Sequence, residues 1–233
     1  MNGKLLIVDC DGTTSKVRNP FFAIAQELSC YAPIKSYADE YLVGRISYSE
    51  LVSLQNPVFR AAARRYANSR GHTKFGPSLF RQFLANLMGD SWVAPAMIQF
   101  LNRIRSWGYE VAMISSGWDA VVSEAAKEAS ITYWRANGVL FEEGEFSGTD
   151  LRVHAEKTEE FESAVRHFCT EYKSVCYLGD SEFDLIGMEF IHRNGGVSLV
   201  HERSDYERTI SFPPYVLRFD SLTEMAEYLR NWK

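Results

Sequence analysis

Three short, largely apolar runs, each closed by small polar or acidic residues, constrain what this chain can fold into. Leu5-Leu6-Ile7-Val8 leads into Asp9-Cys10-Asp11-Gly12-Thr13, Glu110 to Ile114 into Ser115-Ser116-Gly117, and Ser174 to Leu178 into Gly179-Asp180-Ser181. Runs of this kind mark strands buried on both faces with polar residues at their carboxyl ends. Helix-like stretches, Val93 to Trp107 and Glu159 to Tyr172, precede the second and third. Further strands are expected at Gly196 to Val200 and Val216 to Phe219, and Ser221-Leu222-Thr223-Glu224 reads as a capping box opening a last helix. Strands alternating with helices predict an α/β fold, a Rossmann-like, doubly wound and mostly parallel sheet.

About 100 residues separate the first two strands, far more than the one helix a parallel crossover needs. The stretch from Pro20 to about Met88 is rich in helix formers and aromatics, with helices expected near Pro20 to Cys30, Tyr48 to Leu54, Val58 to Asn68 and Pro77 to Met88. It is read as a helical cap domain, 17–88, inserted into a core domain made of 1–16 and 89–233. Gly138 to Gly148 alternates around a turn and predicts a small β-hairpin.

Composition excludes several classes. A net charge of -5 argues against nucleic-acid binding, which needs a basic surface. No apolar run is long enough for a membrane span, and Leu5 to Val8 is too short for a signal-peptide core. The four cysteines lack pairing or zinc-type spacing and are read as reduced thiols in a cytoplasmic setting. The five histidines show no metal spacing either. One segment departs from the acidic balance: Arg45, Arg60, Arg64, Arg65, Arg70, Lys74 and Arg81 face a single acid, Glu50. Such an island is either a solvated face or a reader of anions. Arg60 and Arg64, one helical turn apart, are the candidates for binding an anionic substrate.

In open parallel sheets, ligands bind where strands end at the reversal of strand order. The three runs would bring Asp9, Asp11, Ser115, Asp180 and Asp184 to that edge. Crowded carboxylates repel, and a hard divalent cation such as Mg²⁺ is the simplest remedy.

Taken together, Asp9-Cys10-Asp11-Gly12-Thr13, Ser115, Lys157 and Gly179-Asp180-Ser181-Glu182-Phe183-Asp184 resemble the four ordered motifs of the haloacid dehalogenase-like hydrolases. The stretches Ile114 to Trp118 and Ala136-Asn137-Gly138 are most similar to the phosphoserine phosphatase-like branch. The resemblance implies an Mg²⁺-dependent phosphatase in which Asp9 attacks phosphorus and forms an aspartyl-phosphate, while Asp11 serves as general acid and then base. It further implies that Ser115 with the amides near Ser116 and Gly117 binds phosphoryl oxygens and that Lys157 neutralises both phosphate and Asp9. The metal would be held by Asp9, the Asp11 carbonyl, Asp180 and Asp184.

Lys173 is a poorer match than Lys157 because it immediately precedes a strand, and alternation turns Cys10 toward the core rather than the site. The phosphoserine enzymes carry an acidic residue soon after the first motif, where this chain has Lys16, Val17, Arg18, Asn19 and Pro20. Another phosphomonoester is therefore expected, with an aromatic or protein-borne phosphate such as phosphotyrosine suiting the aromatic, basic cap. The rivals are a small-metabolite phosphatase with a phosphoserine-type substrate, a dehalogenase, which needs neither Asp11 nor the metal carboxylates, and a catalytically silent binding module on the same fold.

Overall fold

The computed structural model describes residues 3–202 and 211–232; residues 1–2, 203–210 and 233 of the expected core segment lie outside these. At the centre is β1 (Lys4–Val8), paired in parallel with β2 (Tyr109–Trp118) on one side and β5 (Val175–Gly179) on the other. Outward from β2 come β3 (Tyr133–Glu142) and β4 (Glu145–Asp150), and outward from β5 come β6 (Val197–His201) and β7 (Val216–Phe219). The order among the described residues is β4-β3-β2-β1-β5-β6-β7, parallel throughout except for the antiparallel β3/β4 hairpin.

Helices on both faces explain the uniformly apolar strands. Leu6 and Val8 pack with residues of α5 (Pro95–Ser106), α6 (Asp119–Glu128) and α9 (Leu222–Asn231), while Leu5 and Ile7 pack with α7 (Thr158–His167) and α8 (Leu185–Arg193). Successive strand positions point to opposite faces, so both sets must be apolar. The fold is the doubly wound, mostly parallel arrangement expected from the sequence. At Ser221 the expected capping box is made in one direction, Ser221 Oγ accepting from the Glu224 amide at 3.2 Å.

Four helices lie between β1 and α5: α1 (Pro20–Glu27), α2 (Tyr31–Leu42), α3 (Tyr48–Ser69) and α4 (Pro77–Met88). Two sequence expectations change here. The second helix was not foreseen: it buries only Ile34 and Ala38, so its apolar signal is thin, and its exposed side carries the Lys35–Asp39 pair. The third is continuous through Pro57 where two pieces, Tyr48 to Leu54 and Val58 to Asn68, were expected. Pro57 lies on the exposed face, while Leu51, Gln55, Phe59, Ala62 and Ala63 bury the opposite one. Packing of that face outweighs the lost backbone bond. The start of α3 is fixed by a reciprocal capping box between Ser47 and Glu50.

The aromatic residues of this region form a shared interior with β2 and the hairpin. Trp118 of β2 meets the rings of Phe21, Phe59, Phe80 and Phe146 at centroid distances of 5.4, 5.2, 5.8 and 5.5 Å. Asn56 of α3 holds the backbone of Thr149 in β4 through both amide atoms, at 2.8 Å to N–H and 3.3 Å to C=O. The two chain segments joining the four helices to the sheet run side by side. Ser15 bridges Val93, Lys16 N–H donates to Trp92 O at 2.8 Å, and Ala94 N–H donates to Thr14 O at 3.1 Å. The Glu128 carboxylate anchors the returning segment, accepting from Ser91 Oγ, Trp92 N–H and Val93 N–H at 2.6, 2.7 and 3.3 Å. No described helix is long and apolar enough to cross a membrane.

Candidate active site

Where β1 ends, the chain turns sharply through Cys10–Thr14. Gly12 sits at φ 81°, and a Cβ there would fall 2.2 Å from Asp180 Oδ2, so both the backbone and the space demand glycine. The turn sends Asp9 and Asp11 to one side, while Cys10 stays buried among Leu6 and Val8 with its thiol pKa driven well above the usual value by burial. Thr14 Oγ1 ties the turn together by donating to Asp9 O at 2.6 Å.

Lys157 occupies the cap position of α7 in the left-handed conformation, φ 55°, and its side chain is only 1% exposed. Its ammonium donates to Asp9 Oδ1 at 2.7 Å, Asp184 Oδ1 at 2.7 Å and the Tyr177 hydroxyl at 2.8 Å. An ammonium has three hydrogens, and all are used. Asp184 is equally committed: Oδ1 also accepts from Tyr177, and Oδ2 accepts from Asp180 N–H, Ser181 N–H and Ser181 Oγ at 3.0, 3.1 and 3.1 Å. Asp180 accepts from Thr13 Oγ1 at 3.1 Å. Carboxylate oxygens of Asp9, Asp180 and Asp184 lie within 4.8 Å of one another. Of the expected metal-holding set, Asp11 does not contribute its side chain to this group.

Asp11 stands instead against β2. Its Oδ2 would lie 2.9 Å from a Cβ at Gly117, and its buried Oδ1 has no partner. Ser115, 1% exposed, accepts from the Gly117 amide at 3.1 Å through Oγ. The Ser116 carbonyl accepts from Asn137 Nδ2 at 2.7 Å and from the Tyr48 hydroxyl at 3.4 Å. Asn137 Oδ1 in turn accepts from the amides of Arg152 and Val153, both at 2.7 Å, joining the β2 loop to the segment that leads to Lys157.

Charge follows geometry. Burial is the largest influence on Asp9 and raises its pKa; Lys157 opposes and Asp184 adds to the rise, leaving it at about 6. Asp11 is pushed to about 7, by burial first and by the charge of Asp9 second. Burial and then the Asp184 charge lift Asp180 well above the carboxylate range. Burial also works against an ionised Asp184, but Lys157 and the hydrogen bonds outweigh it and hold its pKa low. Burial disfavours the Lys157 cation, yet Asp184 and Asp9 keep it firmly protonated. Several carboxyl groups are thus crowded beside one ammonium, and the donor set is entirely hard oxygen, which fits Mg²⁺.

The arginines are placed elsewhere. Arg64 makes a two-pronged contact with Glu145 at 2.9 and 2.7 Å, and Arg60 lies 3.5 Å from Glu142. Their partners are the hairpin carboxylates. What lies beside the site is aromatic. Tyr48 adjoins the β2 loop, Tyr41 meets Tyr48 edge-on at 5.5 Å, and Tyr41 stacks at 5.5 Å on Phe183, between Asp180 and Asp184. Tyr48, Tyr177 and the linking role of Asn137 were not singled out from sequence. A tyrosine two residues before Gly179 in an otherwise apolar strand was the available signal for Tyr177.

No protein-family model matches the chain, and no curated protein matches it by sequence. Its fold does match solved structures. A phospho-aspartyl intermediate analogue of phosphoserine phosphatase superposes with a TM-score of 0.68 at 15% identity, covering 98% of this chain and 99% of that one. Phosphoserine phosphatase from T. onnurineus, in complex with NDSB-201, gives 0.68 at 17% identity over 100% and 96% of the two chains. A dehalogenase with an intermediate complex gives 0.58 at 17% over 99% and 98%. The architecture is therefore the haloacid dehalogenase-like fold, with phosphoserine phosphatases among the chains it is similar to.

Proposed function

We propose that this chain is an Mg²⁺-dependent phosphomonoester phosphatase working through an aspartyl-phosphate on Asp9. The observation that carries the reading is the convergence of Asp9, Asp180 and Asp184, two of them held by the buried Lys157 ammonium, with another buried acid, Asp11, two residues from Asp9. In this reading, residues 1–16 and 89–233 form the catalytic core and the helices within 17–88 form a cap over it. Unpaired cysteines suit a reducing, cytoplasmic setting.

Lys157 engages Asp9 Oδ1, which leaves Oδ2 for attack on phosphorus. As the Asp9–phosphorus bond forms and the ester bond breaks, the leaving oxygen takes a proton from Asp11. A pKa of about 7 leaves a substantial protonated fraction for this at neutral pH. Asp11 then accepts a proton from water as the water oxygen attacks phosphorus, releasing phosphate and restoring the Asp9 carboxylate. The Ser115 hydroxyl and the amides near Ser116 and Gly117 hold the phosphoryl oxygens throughout. Mg²⁺ held by Asp9, the Asp11 carbonyl and Asp180 would supply charge neutralisation at the phosphoryl oxygens. Asp184, already accepting five hydrogen bonds from Lys157, Tyr177, Asp180 and Ser181, supports this set from behind or through a water.

For the substrate we propose an aromatic or protein-borne phosphate such as phosphotyrosine, rather than phosphoserine. Tyr41, Tyr48 and Phe183 supply flat apolar surface beside the site, and the segment after Thr13 offers Lys16 and Arg18 where an amine-reading acid would be needed. A small-metabolite substrate of phosphoserine type is the second reading, and the likeness of the fold to phosphoserine phosphatases favours it.

Hydrolysis of p-nitrophenyl phosphate with and without Mg²⁺ tests the chemistry. Wild type should require the metal, and Asp9→Asn should lose at least about 1,000-fold in kcat. Metal-independent turnover, or turnover surviving Asp9→Asn, overturns the mechanism, and a folded, Mg²⁺-binding but inactive wild type points to the silent binding module. A panel of phosphotyrosine peptides against small phosphorylated metabolites decides between the two substrate readings.

A further inference from the structure

Lys157 has to be more than present: its ammonium must sit on Asp9 without wandering to another acceptor. Two of its three partners are carboxylate oxygens, and Coulomb attraction toward a pair of anions is weakly directional. The third is the Tyr177 hydroxyl, 2.8 Å away and fully buried on β5. That hydroxyl also donates to Asp184 Oδ1, the same oxygen that Lys157 engages. Tyr177 itself has little freedom: its register partner is Ile7 of β1, two residues before Asp9, and its ring packs 4.8 Å from Phe161. A rigid ring on a central strand therefore closes a triangle with Lys157 and Asp184. Of the buried tyrosines on the same face of the sheet, Tyr133 offers the contrast, since its hydroxyl has no partner.

We propose that Tyr177 is a positioning residue, whose hydroxyl fixes the Lys157 ammonium on Asp9 and holds Asp184 Oδ1 in place behind it. Its effect on catalysis rests on the phosphatase reading above, whereas its coupling to Lys157 does not. Without the hydroxyl, one hydrogen of a buried ammonium loses its acceptor, and the ammonium rotates to recover one.

Tyr177→Phe should lower kcat on p-nitrophenyl phosphate by about 10- to 100-fold with KM changed less than about twofold, because alignment of Asp9 matters in the transition state more than in binding. Tyr133→Phe, which removes a hydroxyl that bonds nothing, should leave both constants at wild-type values. Independently of turnover, the fall in Tm caused by Tyr177→Phe in EDTA should shrink by at least half when Lys157 is already methionine, or glutamine should the methionine variant not fold. A kcat within twofold of wild type, in a protein that Asp9→Asn inactivates, overturns the proposal and leaves the phosphatase reading standing. Inactive wild type overturns that reading, and Tyr177 is then judged on the Tm cycle alone, where additive losses overturn it.

Discussion

A carboxyl group in the interior is stable only in the charge state its surroundings prefer, and Asp11 is the sharpest case. Its folded pKa of about 7 lies above the ordinary aspartate value of 3.8, so between those limits the folded protein holds a proton the unfolded chain does not. Stability from this group is therefore greatest at the acid end and is lost as pH rises through about 7. Asp11→Asn should match wild type near pH 5 and exceed it near pH 8 by about 2 kcal/mol, read from urea melts in EDTA. A gap that does not change with pH would show that Asp11 is ionised throughout. The acids were legible in the sequence because they close buried runs, and Lys157 because it stands in order between them in the motifs of the family the chain resembles. Tyr177 was not, because a buried strand tyrosine reads as core filler until its hydroxyl is seen to have partners.

At the scale of elements, the joint between the four-helix region and the sheet depends on Glu128. One carboxylate serves three donors from Ser91, Trp92 and Val93, and the last two themselves pair with the outgoing segment. Glu128→Ala should cost about 2–3 kcal/mol, since hydrogen bonds to a charged acceptor are among the stronger ones. Glu124→Ala on the same helix removes only a 3.9 Å contact with exposed Lys127 and should stay within about 0.5 kcal/mol in the same denaturation assay. Local pattern revealed the start of α4 at Pro77 but not the continuity of α3, because the packing that overrides Pro57 comes from distant parts of the chain. The same limit explains Arg64: its partner, Glu145, is 81 residues away, and charge counting along the chain could not pair them.

For the whole molecule, the cluster of Asp9, Asp180 and Asp184 is a built-in repulsion only partly offset by Lys157. Mg²⁺ should therefore raise Tm, by the equivalent of about 2.7 kcal/mol when its concentration is a hundred times Kd. Asp180→Asn should raise the Tm of the metal-free protein and abolish most of the Mg²⁺ response, whereas Asp11→Asn should keep that response because only its backbone carbonyl is assigned to the metal. Equal Mg²⁺ shifts in wild type and Asp180→Asn, followed by differential scanning fluorimetry, would remove Asp180 from the site. The parallel strands and the edge where their acids meet were legible in the sequence, since buried parallel strands leave a strong local signature. The arrangement of α1 to α4 did not, because aromatic contacts such as those of Trp118 join elements far apart in the chain.

The amide of Asn56 has a consequence for solubility. β4 is the outermost strand on its side, and a row of open peptide groups there would be a template on which another molecule's strand could add. By presenting an oxygen to the Thr149 N–H and a nitrogen to its C=O, one side chain imitates the neighbour such a strand would be, and the helix carrying it covers the position. The sheet is thus finished on that flank by a counterfeit peptide unit, which blocks edge-to-edge aggregation without lengthening the sheet by another strand.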